Sequence, residues 1–204
     1  MNKIEQRPAS PKNYTKGRAG KRVTRVVCHV QDGNQEGTAA WFANPASSVS
    51  AHYSVALDGR IYQHLSETDA GWHAGNWMIN LTSIGVEHEG QPSKGPWTPT
   101  EAQLVASAEL VAGICRRWGI TPDAATIIPH SIINPRHNCP GPTWPWARYL
   151  EMVKAELGGD TAHKPGPDDK RVVRIFDPAT NEQVGTGSLI IGTDKVYLSN
   201  KDVG

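Results

Sequence analysis

Apolar positions along the chain change period several times, and the changes mark out its elements. "RVTRVVCHV" (22–30) is a β-branched apolar run that predicts a buried strand ending at His29. "GTAAWFANP" (37–45) predicts a short helix stopped by Pro45. In "VSAHYSVALDGRIYQHL" (49–65), two alternating stretches flank Asp58-Gly59, which predicts a hairpin with a type I′ turn. "SIGVEHEG" (83–90) predicts a further strand. The longest periodic segment, "TPTEAQLVASAELVAGICRRWG" (98–119), sets Leu104, Ala108, Val111 and Cys115 on one helical face. Thr100 with Gln103 forms a capping box at its start, and Gly119 marks its end. "ATIIPH" (125–130) predicts a short strand ending at His130, and "WPWARYLEMVKAEL" (144–157) a last helix with Pro145 in its first turn.

Composition shifts at both ends. Residues 1–20 are polar and basic and are expected to form a solvated N-terminal arm. The body then runs over 21–157, "GGDTAHKPGPDD" (158–169) has the make-up of a linker, and 170–204 holds three short strand-like runs, "RVVRIFD", "SLIIG" and "KVYLS". So small a tail buries little core alone, so it is expected to lean on the body or to pair with a second copy of itself. The expected class is α/β, a central mixed sheet flanked by helices with a small C-terminal β appendage.

A formal net charge of +1 over 204 residues gives no electrostatic reason to expect a nucleic-acid partner. No apolar run reaches the roughly 18–20 residues of a membrane span, so membrane insertion is not expected. The basic N-terminus has no apolar h-region, which predicts synthesis and retention in the cytoplasm until something else releases the protein. Three cysteines form no disulfide framework, and Cys28 and Cys115 read as small buried hydrophobes.

Cys139 is different, because it sits in the turn-rich "IIPHSIINPRHNCPGP" (127–142). It could be a thiol nucleophile, a metal ligand or inert. His29 and His130 both fall at predicted strand ends, and His-His-Cys is a donor set that suits Zn²⁺ with one position left open.

The blocks "PKNYTKGRAGKRVTRVVCHV", "VSAHYSVALDGRIYQ", "GWHAGNW", "SIGVEHEG" and "PHSIINPRHNCPGP" occur in an order that resembles the zinc-dependent N-acetylmuramoyl-L-alanine amidases. That family shares its fold with peptidoglycan recognition proteins, and the likeness runs from about Asn13 to Leu157. It implies zinc on His29, His130 and Cys139, a groove for a glycan-peptide strand, and hydrolysis of the amide joining N-acetylmuramic acid to L-alanine. One branch of the family assists with a Tyr where this chain has Ala51; the other uses the Glu of a "GIE"-like strand, which maps to Glu87 as general acid/base. Relatives often place an oxyanion-stabilising Lys two residues before the last ligand. Here that position is His137, which leaves two roles open, oxyanion stabiliser or spare ligand. Trp72, His73 and Asn76 are implied to line the groove, while His52 reads as structural and His64, His88 and His163 carry no assigned role.

The expected function is a wall-lysing endolysin that reaches peptidoglycan through a separate, holin-type pore. The alternatives are a peptidoglycan-binding module of the same fold that does not cut, and a structural zinc domain.

Overall fold

The computed structural model describes residues 4–159, 170–176 and 183–190. The first unit, which ends at Gly159, holds strands β1 (Ile4–Gln6), β2 (Tyr14–Thr15), β3 (Arg25–Val30), β4 (Tyr53–Val55), β5 (Ile61–Gln63), β6 (Ala70–Gly71), β7 (Ser83–His88) and β8 (Ile127–Pro129). Its helices are α1 (Gln35–Ala43), α2 (Trp77–Thr82), α3 (Glu101–Trp118), α4 (His130–Ile133) and α5 (Trp146–Gly159). Six strands form one sheet in the order β1-β5-β4-β7-β3-β8, with every neighbouring pair parallel except β4–β5. The expected mixed sheet with flanking helices is therefore present.

Strand parity divides the sheet into two faces. Val26 and Cys28 of β3, Ile84 and Val86 of β7 and Val55 of β4 join one core with Leu104, Ala108, Val111 and Cys115 of α3 and Tyr149 and Val153 of α5. Each fully buried aliphatic side chain there contributes roughly 1.5–3 kcal/mol relative to exposure. On the other side, Phe42 of α1 packs with Ala9, Ala51 and Leu65.

Several local expectations are corrected. The N-terminal segment is part of the fold: β1 pairs with β5, and β2 pairs with β6 as a separate two-stranded ribbon. Asn13 and Arg18 are buried, and the Arg18 guanidinium donates to the carbonyls of Glu67 (2.8 Å), Asn80 (3.2 Å) and Leu81 (2.9 Å). A buried cation held by carbonyls anchors a segment whose composition alone suggests a tail. In the hairpin, Gly59 (φ 87°) has positive φ and Asp58 does not, so the turn is not type I′. Hydrogen bonds from Gly59 N–H and Ala56 N–H, to Ala56 C=O and Arg60 C=O respectively, close a three-residue loop instead, with Gly59 supplying the left-handed residue. Thr100 does cap α3 by accepting from Gln103 N–H (3.1 Å). The Gln103 side chain does not complete the box; it is buried and donates to the carbonyls of Val55 and Glu89.

The second unit contains β9 (Lys170–Phe176) and β10 (Gln183–Ile190), an antiparallel pair. The third expected strand, at 195–199, lies outside the described residues. So does 160–169 of the expected linker, while α5 takes in residues 158 and 159.

Candidate active site

The same parity that buries Cys28 and Val86 turns His29 and Glu87 to the opposite face. These two residues are partners in the parallel register of β3 and β7, at the C-terminal ends of both strands. In open α/β sheets such strand ends are where ligands bind. β8 adds the next contribution, because His130 follows it directly and opens the one-turn helix α4, so it heads a helix instead of ending the strand as expected. Cys139 returns on the loop after α4, where Ser131 N–H donates to the Cys139 carbonyl (3.1 Å).

His29, His130 and Cys139 each offer one ligand atom, and the three atoms lie within 4.8 Å of one another. Cys139 Sγ is 3.9 Å from His29 Nδ1, and the His29 and His130 ring centroids are 4.6 Å apart. Zinc bonds of about 2.0–2.3 Å in a tetrahedron separate ligand atoms by about 3.3–3.8 Å, so the cluster is close to what the ion needs. The donor set fits as well. Val30 N–H points at Cys139 Sγ (3.2 Å), a contact that favours a thiolate. Burial, with the nearby Glu87 carboxyl, otherwise pushes the Cys139 thiol up to about 12, so it is a poor nucleophile without a cation beside it. His137 is not in this cluster; it is exposed and stacks on the His130 ring at 5.4 Å.

Two histidines brace His29. The His88 ring, buried on the helical face, donates from Nδ1 to the His29 carbonyl (2.8 Å) and is held in turn by Ser107 (2.7 Å) and Tyr149. His73 meets the other end: its Nδ1 is 3.0 Å from His29 Nε2. Sequence reasoning gave His88 no role and made His73 a groove residue. The signal available for His88 was its neighbour, since a buried strand places successive side chains on opposite faces and Glu87 faces the site.

Glu87 is half-buried, its Oε2 finds no hydrogen-bond partner among the described residues, and burial raises its pKa to about 8. An orphaned carboxyl oxygen in a cleft, with a proton affinity near neutrality, is equipped to take and return a proton.

A cleft of about 650 Å³ joins these groups. Near the cluster it is lined by Glu87, His137 and the 30–34 loop, and farther along by Trp41, Phe42 and Val49. Trp41 is 53% exposed and was missed by sequence reasoning, since an aromatic residue on a short helix does not reveal what it faces. Trp72 lines the cleft as expected, its indole N–H held by Thr15 Oγ1 (3.0 Å). Asn76 does not line it: its side chain caps α2 by accepting from Ile79 N–H (3.1 Å). His52 is fully buried, accepting from Gly85 N–H and contacting the Asp69 carbonyl, consistent with a structural role.

A family model described as N-acetylmuramoyl-L-alanine amidase matches residues 19–142. The chain is 32% identical over 171 residues to N-acetylmuramoyl-L-alanine amidase A of Achromobacter lyticus, an alignment covering 74% of this chain and 93% of that protein. It is 37% identical over 114 residues to the 1,6-anhydro-N-acetylmuramyl-L-alanine amidase AmpD of Haemophilus influenzae, covering 52% of this chain and 59% of that one. Among solved structures it is similar to a selenomethionine AmpD derivative (TM-score 0.62, 26% identity, 75% of this chain and 96% of that one). It is also similar to Escherichia coli AmiD in complex with anhydro-N-acetylmuramic acid-L-Ala-D-gamma-Glu-L-Lys (TM-score 0.57, 27% identity, 64% of this chain and 57% of that one). The family model spans more than half of the chain, and the Achromobacter alignment runs over nearly the whole of that enzyme. The chain belongs to the N-acetylmuramoyl-L-alanine amidase family.

Proposed function

We propose that the chain is a zinc-dependent hydrolase that cuts the amide between N-acetylmuramic acid and L-alanine in polymeric cell-wall peptidoglycan, acting as a lysin after release from the cytoplasm. The observation that carries this reading is the juxtaposition of His29, His130 and Cys139 with the Glu87 carboxyl, whose Oε2 has no hydrogen-bond partner among the described residues, in one open cleft.

Zinc, when bound, supplies a Lewis acid that polarises the scissile carbonyl and acidifies water. His29, His130 and Cys139 are the residues that would hold it. Glu87 takes the proton of the attacking water as the new C–O bond forms. It returns that proton to the L-alanine nitrogen as the C–N bond breaks, which leaves a lactyl carboxylate and a free amine. His137, on the cleft side of the His130 ring, offers a ring N–H to the carbonyl oxygen as charge builds there. Trp72 and Trp41 present aromatic surface for sugar or peptide contact.

A second reading, hydrolysis of small anhydro-muropeptides in wall recycling, draws support from the AmpD relatives named for that substrate. Comparing kcat/KM on insoluble sacculi with that on soluble anhydro-muropeptides separates the two. A preference for sacculi upholds the lysin role; a strong preference for the soluble fragment replaces it with recycling. A chain that binds sacculi and releases no new amine is a binding module. Self-association through 170–204 is tested by solution mass before and after removal of residues 165–204.

A further inference from the structure

We propose that the turn at His73 and Ala74, backed by Ser83, sets the ring tautomer of both ligand histidines, so that each carries its hydrogen on Nε2 and turns a bare Nδ1 toward the metal. The inference rests on the metal-site reading above.

A chain of contacts fixes where each hydrogen sits. Ser83 Oγ lies 2.6 Å from the Ile79 carbonyl, which can only accept, so the single hydroxyl hydrogen of Ser83 is committed there. Ser83 Oγ also lies 3.2 Å from His73 Nε2. With its hydrogen used, Ser83 can only accept from that nitrogen, so His73 carries its hydrogen on Nε2 and leaves Nδ1 bare. His73 Nδ1 is 3.0 Å from His29 Nε2 and must now accept from it. His29 therefore holds its hydrogen on Nε2, and its Nδ1 faces Cys139 Sγ at 3.9 Å with a free lone pair. The orientation at the ligand is thus fixed by a carbonyl three groups away. A histidine ligand with the hydrogen on the wrong nitrogen would have to rearrange before it could bind.

His130 is set by the next residue. Its Nε2 lies 3.3 Å from the Ala74 carbonyl, again an acceptor only, so Nε2 carries the hydrogen and Nδ1 is bare. One loop thereby controls both imidazoles. Space for this is made by Gly85 of β7, where an added Cβ would lie 2.6 Å from His73 Cγ. Any side chain there would push the His73 ring off its contact with His29. His73 lines the cleft as expected and, through its contact with His29, is also a positioning residue.

The test uses the full-length metal-free protein at pH 8, where an ordinary imidazole is neutral. Nitrogen-15 shifts report which ring nitrogen is protonated, and the expected result is the Nε2–H form for His29, His73 and His130. Zinc affinity is then measured by chelator competition. His73→Leu is expected to lose about 10–100-fold, the usual cost of removing such a support. His73→Asn, whose Oδ1 can accept from His29 Nε2 in place of Nδ1, should recover most of that loss. Ser83→Ala, a smaller change, should weaken zinc and show a mixture of His73 tautomers. An Nδ1–H form at His29 in the wild type, wild-type affinity in His73→Leu, or an Asn variant no better than Leu would overturn the proposal. Should His73→Leu fail to fold, the wild-type shifts and Ser83→Ala decide it. No readout uses hydrolysis, so the amidase reading fails separately, as expected tautomers and affinities without amide cleavage.

Discussion

His29 and Glu87 stand opposite each other in the parallel register of β3 and β7, both turned away from the helical core. A shift of one residue in either strand would send one of them into the core and a flanking cysteine, valine or histidine into the cleft. The register that builds the hydrophobic core therefore also places an expected metal ligand beside the expected proton carrier.

Glu87→Gln keeps the shape of the carboxyl and removes its proton chemistry. Turnover on peptidoglycan is expected to fall about 10²–10⁴-fold, with zinc content and sacculus binding retained. Metal analysis beside steady-state rates checks this. Loss of zinc together with activity would make Glu87 a structural residue.

His137 is expected to stabilise the carbonyl oxygen as charge builds on it, since it lines the cleft beside the metal cluster without belonging to it. His137→Ala should lower kcat by about 10²-fold or more, the scale set by loss of an oxyanion donor, while KM and zinc affinity stay near wild type. His137→Lys should restore much of the rate and change the shape of the pH–rate profile. Loss of zinc in His137→Ala would instead mark it as a ligand.

Trp41 carries its indole on the far wall of the cleft, more than half exposed. Trp41→Ala should raise KM for sacculi and leave kcat unchanged, because it removes contact surface without touching the reacting groups. Equal loss in kcat would place the indole next to the scissile bond.

The fold should lose stability in mild acid. Burial lowers the pKa of both His64 and His88 to about 4, against about 6.5 in the unfolded chain. Below pH 6.5 the unfolded chain binds protons that the folded one refuses. Stability is therefore full above about pH 6.5 and falls as pH drops toward 4, by up to about 1.4 kcal/mol per pH unit for each group. Denaturant unfolding at a series of pH values reads the slope. Since His64 lies away from the cluster, between Ser54 and the Arg7 carbonyl, His64→Gln should flatten that slope even in metal-free protein.

Most of the site was legible in the sequence because its residues terminate regular elements: His29 closes a β-branched run, and His130 follows another. α3 was legible because eighteen residues of helical period leave little ambiguity. What stayed hidden has a common cause. β1, β2 and β6 are two or three residues long, too short to show alternation. The buried Arg18 reads as a surface charge until the carbonyls around it are known. His73 and His88 look alike in sequence to any polar residue of a strand or loop; only their partners, the two ends of His29, give them distinct work.

The most direct measurement digests purified sacculi with zinc-loaded wild type and with Cys139→Ala, then follows new L-alanine amino termini and bound zinc together. The expected result is about one zinc per wild-type chain, stoichiometric release of L-alanine amines with intact lactyl carboxylates, and loss of both zinc and amine release in Cys139→Ala. Amine release that survives in a zinc-free Cys139→Ala protein would contradict it.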